Sequence, residues 1–139
     1  MDKEELITKS VELLQEKVGV CSVAYVTEDG YPHICILKPI GSQGIKTIYF
    51  STVSNTKKVG RYRENGKAGV TFYHGEDSVT LLGKMTVIKD KETKDCMYQD
   101  WMDEHFADGS KNFSEYAVLK FVANEATIYI DGIFKTYSI

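Results

Sequence analysis

The chain of 139 residues is 42% hydrophobic and 27% charged, with a formal net charge of -3 at pH 7, a composition typical of a single globular domain over residues 1–139. No apolar run approaches the roughly 20 residues of a membrane helix, and the first residues lack the apolar segment of a secretory signal, so we expect a cytoplasmic protein without a membrane partner. Since binding to nucleic-acid phosphates normally depends on a dominant basic surface, the acidic balance argues against a nucleic-acid partner.

Hydrophobic periodicity predicts an N-terminal amphipathic helix followed by three β-strands. From Asp2 to Val18, apolar residues recur at steps of three and four, a spacing that makes one face of a helix apolar. The three β-rich runs that follow cover Gly19 to Val26, Tyr31 to Ile40 and Ile45 to Thr52, and the short sequences TEDG and GSQG separate them. Because such turns join neighbouring antiparallel strands, we expect a meander.

The second half of the chain predicts two further helices and a second set of strands. A short helix, KKVGRYREN, precedes a hairpin formed by Ala68 to His74 and Ser78 to Ile88. A helix is expected from Lys89 to Gly109, because apolar residues recur there at helical spacing and a glycine ends the segment. The runs SEYAVLKFVA and EATIYI are again β-rich. Tight turns between most strands favour an antiparallel barrel over a parallel sheet with crossover helices.

Cysteine and histidine are too scattered to indicate a disulfide framework or a metal site. The three cysteines have no CxxC spacing, and the three histidines lie far apart without HExxH spacing. We therefore expect reduced thiols and no metal ligands.

The stretch STVSNTKK, residues 51–58, joins the third predicted strand to the short helix and contains hydroxyls, an amide and two lysines without an acidic residue. Lys57 and Lys58 fall near the first turn of that helix, where backbone amides favour an anion. The same stretch would also suit a simple helix N-cap at Asn55 or Thr56, with solvated lysines. Local chemistry therefore leaves two interpretations, a phosphate site and a turn.

Two consecutive segments, HICILK and YFSTVSNTKKV, resemble the flavin-binding core of the pyridoxamine 5'-phosphate oxidase-like split β-barrels, in particular the general stress protein 26-like branch. In that family, a strand with an R-x-V-L-x-K pattern lies along the flavin, and a following F-x-T…[RK]-K segment holds the FMN phosphate. The residues that this resemblance assigns to FMN binding are His33, Ile34, Cys35, Ile36, Lys38, Ser51, Thr52, Lys57, Lys58 and, from a later strand, Ser78.

The resemblance covers Gly19 to Ile130, including SVTLLGKMTVI with its glycine at Gly83 and the segment WMDEHFADG. It implies a mainly β (α+β) fold, a six- or seven-stranded antiparallel split β-barrel with flanking helices. It also implies a homodimer with FMN in the groove between two barrels, and an oxidoreductase with a small-molecule electron donor or acceptor. The sequence assigns no catalytic residue.

Three features depart from the family pattern. His33 stands where arginine is common, and Ser78 stands where some relatives have a glutamine that reaches a flavin across the dimer. The sequence ends at GIFKTYSI, without the arginine-bearing segment that the true oxidases use for their substrate, so we expect negligible pyridoxamine 5'-phosphate oxidase activity. Two alternatives to a flavin enzyme remain: a non-catalytic flavin-binding stress protein, and a split barrel that binds haem, a deazaflavin or nothing.

Three other side chains receive structural rather than chemical interpretations. Cys35 is expected to be a small packed residue beside the flavin, as free cysteines commonly are. Trp101 is expected to anchor the core, because large aromatic side chains dominate core energetics. His105, on the same predicted helical face, is expected to be exposed.

Overall fold

The computed structural model describes residues 1–54, 56–99, 102 and 116–139. Within these ranges the chain forms three α-helices and eight β-strands, and the strands belong to one antiparallel sheet. The helices are α1 (Lys3–Glu12), α2 (Lys57–Glu64) and α3 (Lys91–Met97). The strands are β1 (Cys21–Val26), β2 (Pro32–Leu37), β3 (Pro39–Gln43), β4 (Thr47–Val53), β5 (Lys67–His74), β6 (Asp77–Ile88), β7 (Tyr116–Ile130) and β8 (Ile133–Ser138). None of these three helices is long and apolar enough to cross a membrane.

The N-terminal helix is amphipathic, as its sequence predicts. α1 begins where the Asp2 carboxylate accepts a hydrogen bond from the Glu5 amide at 2.9 Å, which satisfies one of the amides left unpaired at a helix start. The helix continues into a single π-helical turn, Leu13–Lys17. Its buried face, which includes Leu6, packs into the core. The helix predicted over Asp2 to Val18 is therefore confirmed.

Hydrogen bonds join the strands in the order β2-β1-β5-β6-β7-β4-β3, and β8 pairs with β7. β7 is central, because β6 pairs along one edge while β4 and then β8 pair along the other. β2 and β3 stand at opposite ends of this order, although Lys38 alone separates them in the chain. The sheet must therefore curve back on itself and stay open between these two strands. This arrangement confirms the predicted antiparallel split β-barrel with flanking helices.

The described residues contain eight strands, whereas the sequence predicts six or seven. The predicted strand Tyr31 to Ile40 is divided into β2 and β3, because Pro39 has no amide hydrogen and restricts the residue before it. The two parts also pair with different neighbours, β1 and β4. The C-terminal strand β8 is absent from the prediction. It forms a hairpin with β7 through Asp131 at φ 52° and Gly132 at φ 78°, the left-handed conformation that tight hairpin turns require.

β7 is one strand of 15 residues where the sequence predicts two. The segment predicted as a turn is a β-bulge: Leu82 pairs with Glu125 and Gly83 with Ala123, which leaves Asn124 as the extra residue. A Cβ atom on Gly83 would collide with a backbone carbonyl oxygen of β7. The glycine is therefore needed for the close approach of the two strands at this bulge.

Two hydrophobic clusters lie against the sheet. The larger fills the barrel with fully buried side chains such as Phe50, Phe72 and Phe121. The smaller contains Ile40, Met102, Tyr116 and Val118, and residues of α3 pack against it. The barrel thus has its own core, and α3 covers a separate apolar surface near the start of β7.

The helix predicted from Lys89 to Gly109 is described only over α3. Its N-cap is Asp90, whose carboxylate accepts a hydrogen bond from the Thr93 amide at 2.9 Å. Hydrogen bonding to the Thr93 side chain, and then to its amide, lowers the pKa of the Asp90 carboxyl. Trp101 and His105, for which we expect a core and an exposed position, lie outside the described residues.

Candidate functional site

The candidate site lies where β2 and the end of β4 meet the start of α2. Two residues fix this helix against the barrel. Val59 is fully buried, and the hydroxyl of Tyr62 donates a hydrogen bond to the Ala24 carbonyl at 2.9 Å. Burial also raises the pKa of Tyr62, so its hydroxyl stays protonated and remains a donor. These contacts hold the first turn of α2, with Lys57 and Lys58, in a defined position.

The hydroxyl of Thr56, the residue at the N-cap position of α2, does not cap the helix. It donates a hydrogen bond to the Val53 carbonyl at 3.0 Å, and Thr56 makes no side-chain cap hydrogen bond. The amides of a first helical turn have no partner within the helix. An N-cap through Thr56 is therefore wrong, and Asn55, the other candidate cap, lies outside the described residues.

Lys58 makes the central contact of the site. Its Nζ donates a hydrogen bond to Thr52 Oγ1 at 3.2 Å, and Thr52 is only 8% exposed. An ammonium group, a hydroxyl and the amides of a helix start are donors that suit a phosphate, and we call Thr52, Lys58 and the first turn of α2 the phosphate cradle. This donor set fits the phosphate of FMN. Ser51 is equally buried, but adjacent strand residues point to opposite faces, so Ser51 is directed away from Lys58.

Cys35 lies beside the phosphate cradle on β2. Burial raises the pKa of its thiol, and the nearby positive charge of Lys58 opposes part of this rise. A thiol with a raised pKa is neutral near pH 7 and does not repel a phosphate. It also lacks the lowered pKa of a reactive cysteine, in accord with the expectation that Cys35 packs rather than reacts.

The residues expected to bind FMN along β2 are divided between the two faces of that strand. His33 and Cys35 are turned towards α2, the first as part of a pocket wall and the second near Lys58. Ile34 and Ile36 point outward and are 65% and 60% exposed. Lys38 follows β2 at the crossover to β3, where it lines a separate pocket of about 380 Å³. The structure therefore gathers Cys35 at the phosphate cradle and places Lys38 at the opening of the barrel.

A larger pocket of about 450 Å³, which we call the hairpin pocket, lies between α2 and the turn that joins β1 to β2. Its lining residues are Tyr25, Thr27, Glu28, Asp29, Tyr31, His33, Lys57 and Arg61. The rings of Tyr25 and His33 stack with centroids 4.8 Å apart and form one wall. Arg61 is held by hydrogen bonds to the Val26 carbonyl at 2.9 Å and to the Glu64 carboxylate at 2.6 Å.

Sequence reasoning missed most of the hairpin pocket. The available signal was the spacing of Lys57 and Arg61, which are four residues apart and so share one face of α2. The stacking of Tyr25 on His33 had no local signal, because the register of β1 against β2 brings these residues together.

Ser78 is distant from the phosphate cradle within one chain. Ser78 lies at the start of the 12-residue strand β6, and Ile88 lies at its end. The phosphate cradle is level with Ile88, because Val118 of β7 pairs with both Ile88 and Ser51. At about 3.3 Å per residue, Ser78 lies roughly 30 Å along the strand from that level. The structure thus does not bring Ser78 to the lysines of its own chain.

One surface of the sheet, which we call the outer face, carries many exposed apolar side chains. They are Ile34, Ile36, Tyr73, Leu82, Tyr129 and Phe134. Two pairs of threonines lie among them, one joining β5 to β6 and one joining β7 to β8, with their hydroxyl oxygens 3.1 Å apart in both pairs. Ser78 is on this face, in register with Tyr73 and Tyr129. Contiguous exposed apolar surface of this kind is typical of protein interfaces.

Comparison with protein families gives one match that spans most of the chain. Residues 7–129 match the family model for pyridoxamine 5'-phosphate oxidase. A search of curated proteins finds no match.

Three solved structures are similar over nearly the whole chain. A protein related to general stress protein 26 of B. subtilis, from Clostridium acetobutylicum, is 24% identical with a TM-score of 0.86, over 100% of this chain and 97% of that one. A pyridoxamine 5'-phosphate oxidase-related, FMN-binding protein from Nostoc punctiforme is 13% identical with a TM-score of 0.73, over 100% and 98%. A haem-binding protein from Mycobacterium smegmatis is 11% identical with a TM-score of 0.72, over 95% and 57%. These likenesses establish the fold, and the last two proteins carry different cofactors on it.

Proposed function

Because this chain belongs to the pyridoxamine 5'-phosphate oxidase family, we propose that it is an FMN-binding oxidoreductase acting on a small-molecule electron donor or acceptor. The observation that carries the proposal is the contact between Lys58 Nζ and Thr52 Oγ1 at the start of α2. The phosphate cradle combines a hydroxyl, an ammonium group and the amides of a helix start, and none of its three elements is a carboxylate. A phosphate monoester is the part of FMN that such donors recognise.

The chain would hold FMN at two places. The phosphate cradle would bind the phosphate, with Lys58 as the main cation and Lys57 next to it on the same helical turn. The strand β2, from His33 to Ile36 and on to Lys38, would lie along the ring system. When bound, FMN supplies reversible hydride and electron transfer, and the protein contributes binding, orientation and electrostatics.

The outer face supports the proposal of a homodimer. Apart from Glu125, the side chains in its central rows are apolar or carry only hydroxyls, so a second copy could pack there without burying many charges. Ser78 lies on this face, although it is distant from the phosphate cradle of its own chain. In a dimer formed through the outer face, Ser78 would be available to the cofactor of the other chain.

The visible absorption spectrum of the purified protein tests the proposed cofactor. We expect the two-banded absorption of a flavin, and release of FMN rather than riboflavin on denaturation. A single intense haem band, or a colourless protein that does not take up added FMN, would reject the proposal. A protein that binds FMN, but whose bound flavin is not reduced by any electron donor tested, would instead favour the non-catalytic flavin-binding alternative.

Haem is the second candidate cofactor, and His33 is the observation that favours it. An imidazole is a common axial ligand of haem iron, and His33 is exposed at the wall of the hairpin pocket where relatives commonly have arginine. Titration of haem into the wild-type protein and into His33→Ala separates the two cofactors. A haem spectrum that depends on His33 would support this alternative.

A further inference from the structure

Arg61, in the second turn of α2, joins the helix to the end of β1. Its Nε donates a hydrogen bond to the Val26 carbonyl at 2.9 Å, and its Nη1 donates to the Glu64 carboxylate at 2.6 Å. The Arg61 side chain is only 16% exposed, so these contacts hold it in one place. The adjacent Tyr62 donates to the Ala24 carbonyl of the same strand. Two consecutive residues of α2 therefore bind carbonyls two positions apart on β1.

The Val26 carbonyl lies where the pairing of β1 with its neighbours ends. The register of β1 with β5 stops one residue before Val26. The Lys67 amide, next in line on β5, donates to Asn65 Oδ1 at 3.0 Å instead. Pro32, the register partner of Val26 on β2, has no amide hydrogen. Arg61 Nε therefore supplies a donor that strand pairing at this position does not.

The elements that Arg61 joins carry the two parts of the proposed FMN site. α2 carries Lys58, and β1 pairs along its length with β2, where the ring system would lie. The distance of 3.2 Å from Lys58 Nζ to Thr52 Oγ1 is at the long end of the normal range, roughly 2.7–3.2 Å. A small displacement of α2 would therefore break this contact.

We propose that Arg61 is a positioning residue for FMN, because its hydrogen bond to Val26 fixes α2 where Lys58 can meet the phosphate. The positive charge of Arg61 is already offset by Glu64, so its contribution is the placement of the helix rather than attraction of the anion. This inference rests on the proposed function and adds a residue that acts on the cofactor through Lys58.

Arg61→Gln and Arg61→Met form a matched pair for testing this role. The glutamine amide nitrogen is as many bonds from Cα as arginine Nε and can still donate to Val26, whereas methionine has a methyl group at that position. We expect Arg61→Met to weaken FMN binding about tenfold, the equivalent of one hydrogen bond. Arg61→Gln should stay within about threefold of the wild type. Riboflavin affinity should hardly change in either variant, since riboflavin has no phosphate for Lys58 to meet.

A double-mutant cycle distinguishes placement of Lys58 from an independent effect. In a Lys58→Ala background, Arg61→Met should reduce FMN affinity by at most about twofold more, because the lysine that it would misplace is already absent. Arg63→Met is the control, since it removes an exposed arginine from the same helix and should leave the affinities for both flavins unchanged.

The remaining outcomes overturn the inference while leaving FMN binding in place. Unchanged FMN affinity in Arg61→Met would show that the hydrogen bond does not place Lys58. Equal losses in Arg61→Gln and Arg61→Met would assign the effect to charge, and losses additive with Lys58→Ala would make Arg61 independent of that lysine. Parallel losses for FMN and riboflavin, or a similar loss in Arg63→Met, would indicate a general effect on the fold or the helix. A wild-type protein that binds neither flavin would overturn the proposed function itself.

Discussion

Lys58 is the residue on which the candidate site depends most. It contacts Thr52, influences Cys35 electrostatically and lies on a helix that Val59 and Tyr62 anchor. An adjacent lysine, Lys57, points into another pocket. The two side chains can therefore be tested separately, although they are neighbours in the sequence.

Replacing Lys58 by alanine should weaken FMN binding by roughly ten- to a hundredfold, because one charge-assisted hydrogen bond of about 1.5–3 kcal/mol is lost. Riboflavin affinity should hardly change, since riboflavin has no phosphate. Titration of both flavins measures the difference. Lys9→Ala, which removes the same charge from α1, is the control variant. Equal losses for the two flavins in Lys58→Ala would show that the lysine does not contact the phosphate.

The same substitution should raise the pKa of the Cys35 thiol further, since Lys58 is the charge that opposes the effect of burial. Alkylation of Cys35 depends on its thiolate, so its pH profile should shift to higher pH in Lys58→Ala. The measurement is made in a Cys96→Ser background, because Cys96 is exposed, while burial raises the pKa of Cys21 to about 12 and keeps it unreactive. An unchanged profile would mean that Lys58 and Cys35 do not interact in solution.

The elements that position the site are held by strand pairing at long sequence distance. β7 pairs with β4, which carries Thr52, and also with β6. β6 pairs in turn with β5, the strand that directly follows α2 in the chain. The bulge opposite Gly83 lets the paired strands β6 and β7 bend. Packing at this bulge therefore affects both the barrel and the placement of α2.

Gly83→Ala should destabilise the protein by about 1–3 kcal/mol or more, because the added methyl group would overlap backbone atoms of β7. Urea unfolding measures the loss. Gly69→Ala is the matched control, since a Cβ there would lie 3.7 Å from the nearest atom, Leu82 Cδ2, at ordinary contact distance. The two variants should differ clearly, and similar stabilities would contradict the tight approach at the bulge.

At the scale of the whole molecule, the outer face is notable because it exposes apolar side chains that the isolated chain does not cover. Its exposed apolar side chains come from five different strands, and Ser78 lies among them. We therefore expect cofactor binding and dimerisation to be linked, because a ligand held between two chains favours their association by mass action.

Leu82→Lys should convert the proposed dimer to a monomer without unfolding it. Leu82 is 49% exposed on the outer face and is in register with Glu125, which can pair with the new lysine in the free chain. Sedimentation velocity with and without FMN measures the assembly state. Thr8→Lys, on the exposed side of α1, adds the same charge elsewhere and should leave assembly unchanged. A Leu82→Lys protein that stays dimeric would exclude this face as the interface.

The sequence by itself determined the helix α1, the hairpins and the stretch that carries Lys57 and Lys58. These features depend on local patterns: apolar spacing, turn residues, and hydroxyls beside lysines at a helix start. The order of the motifs also determined the family, which the match over residues 7–129 establishes. Local chemistry alone left the phosphate site and the N-cap unresolved.

Only the tertiary structure excluded a helix cap by the Thr56 side chain, because the direction of its hydroxyl depends on where β4 ends relative to α2. Strand pairing, which joins residues distant in sequence, also decided that Pro39 begins a new strand, that Asn124 is a bulge and that β8 exists. The hairpin pocket has the same origin, since the register of β1 and β2 stacks Tyr25 on His33. Side chains that meet only through such pairing leave no periodic signal in the sequence, because period and spacing describe neighbours along the chain.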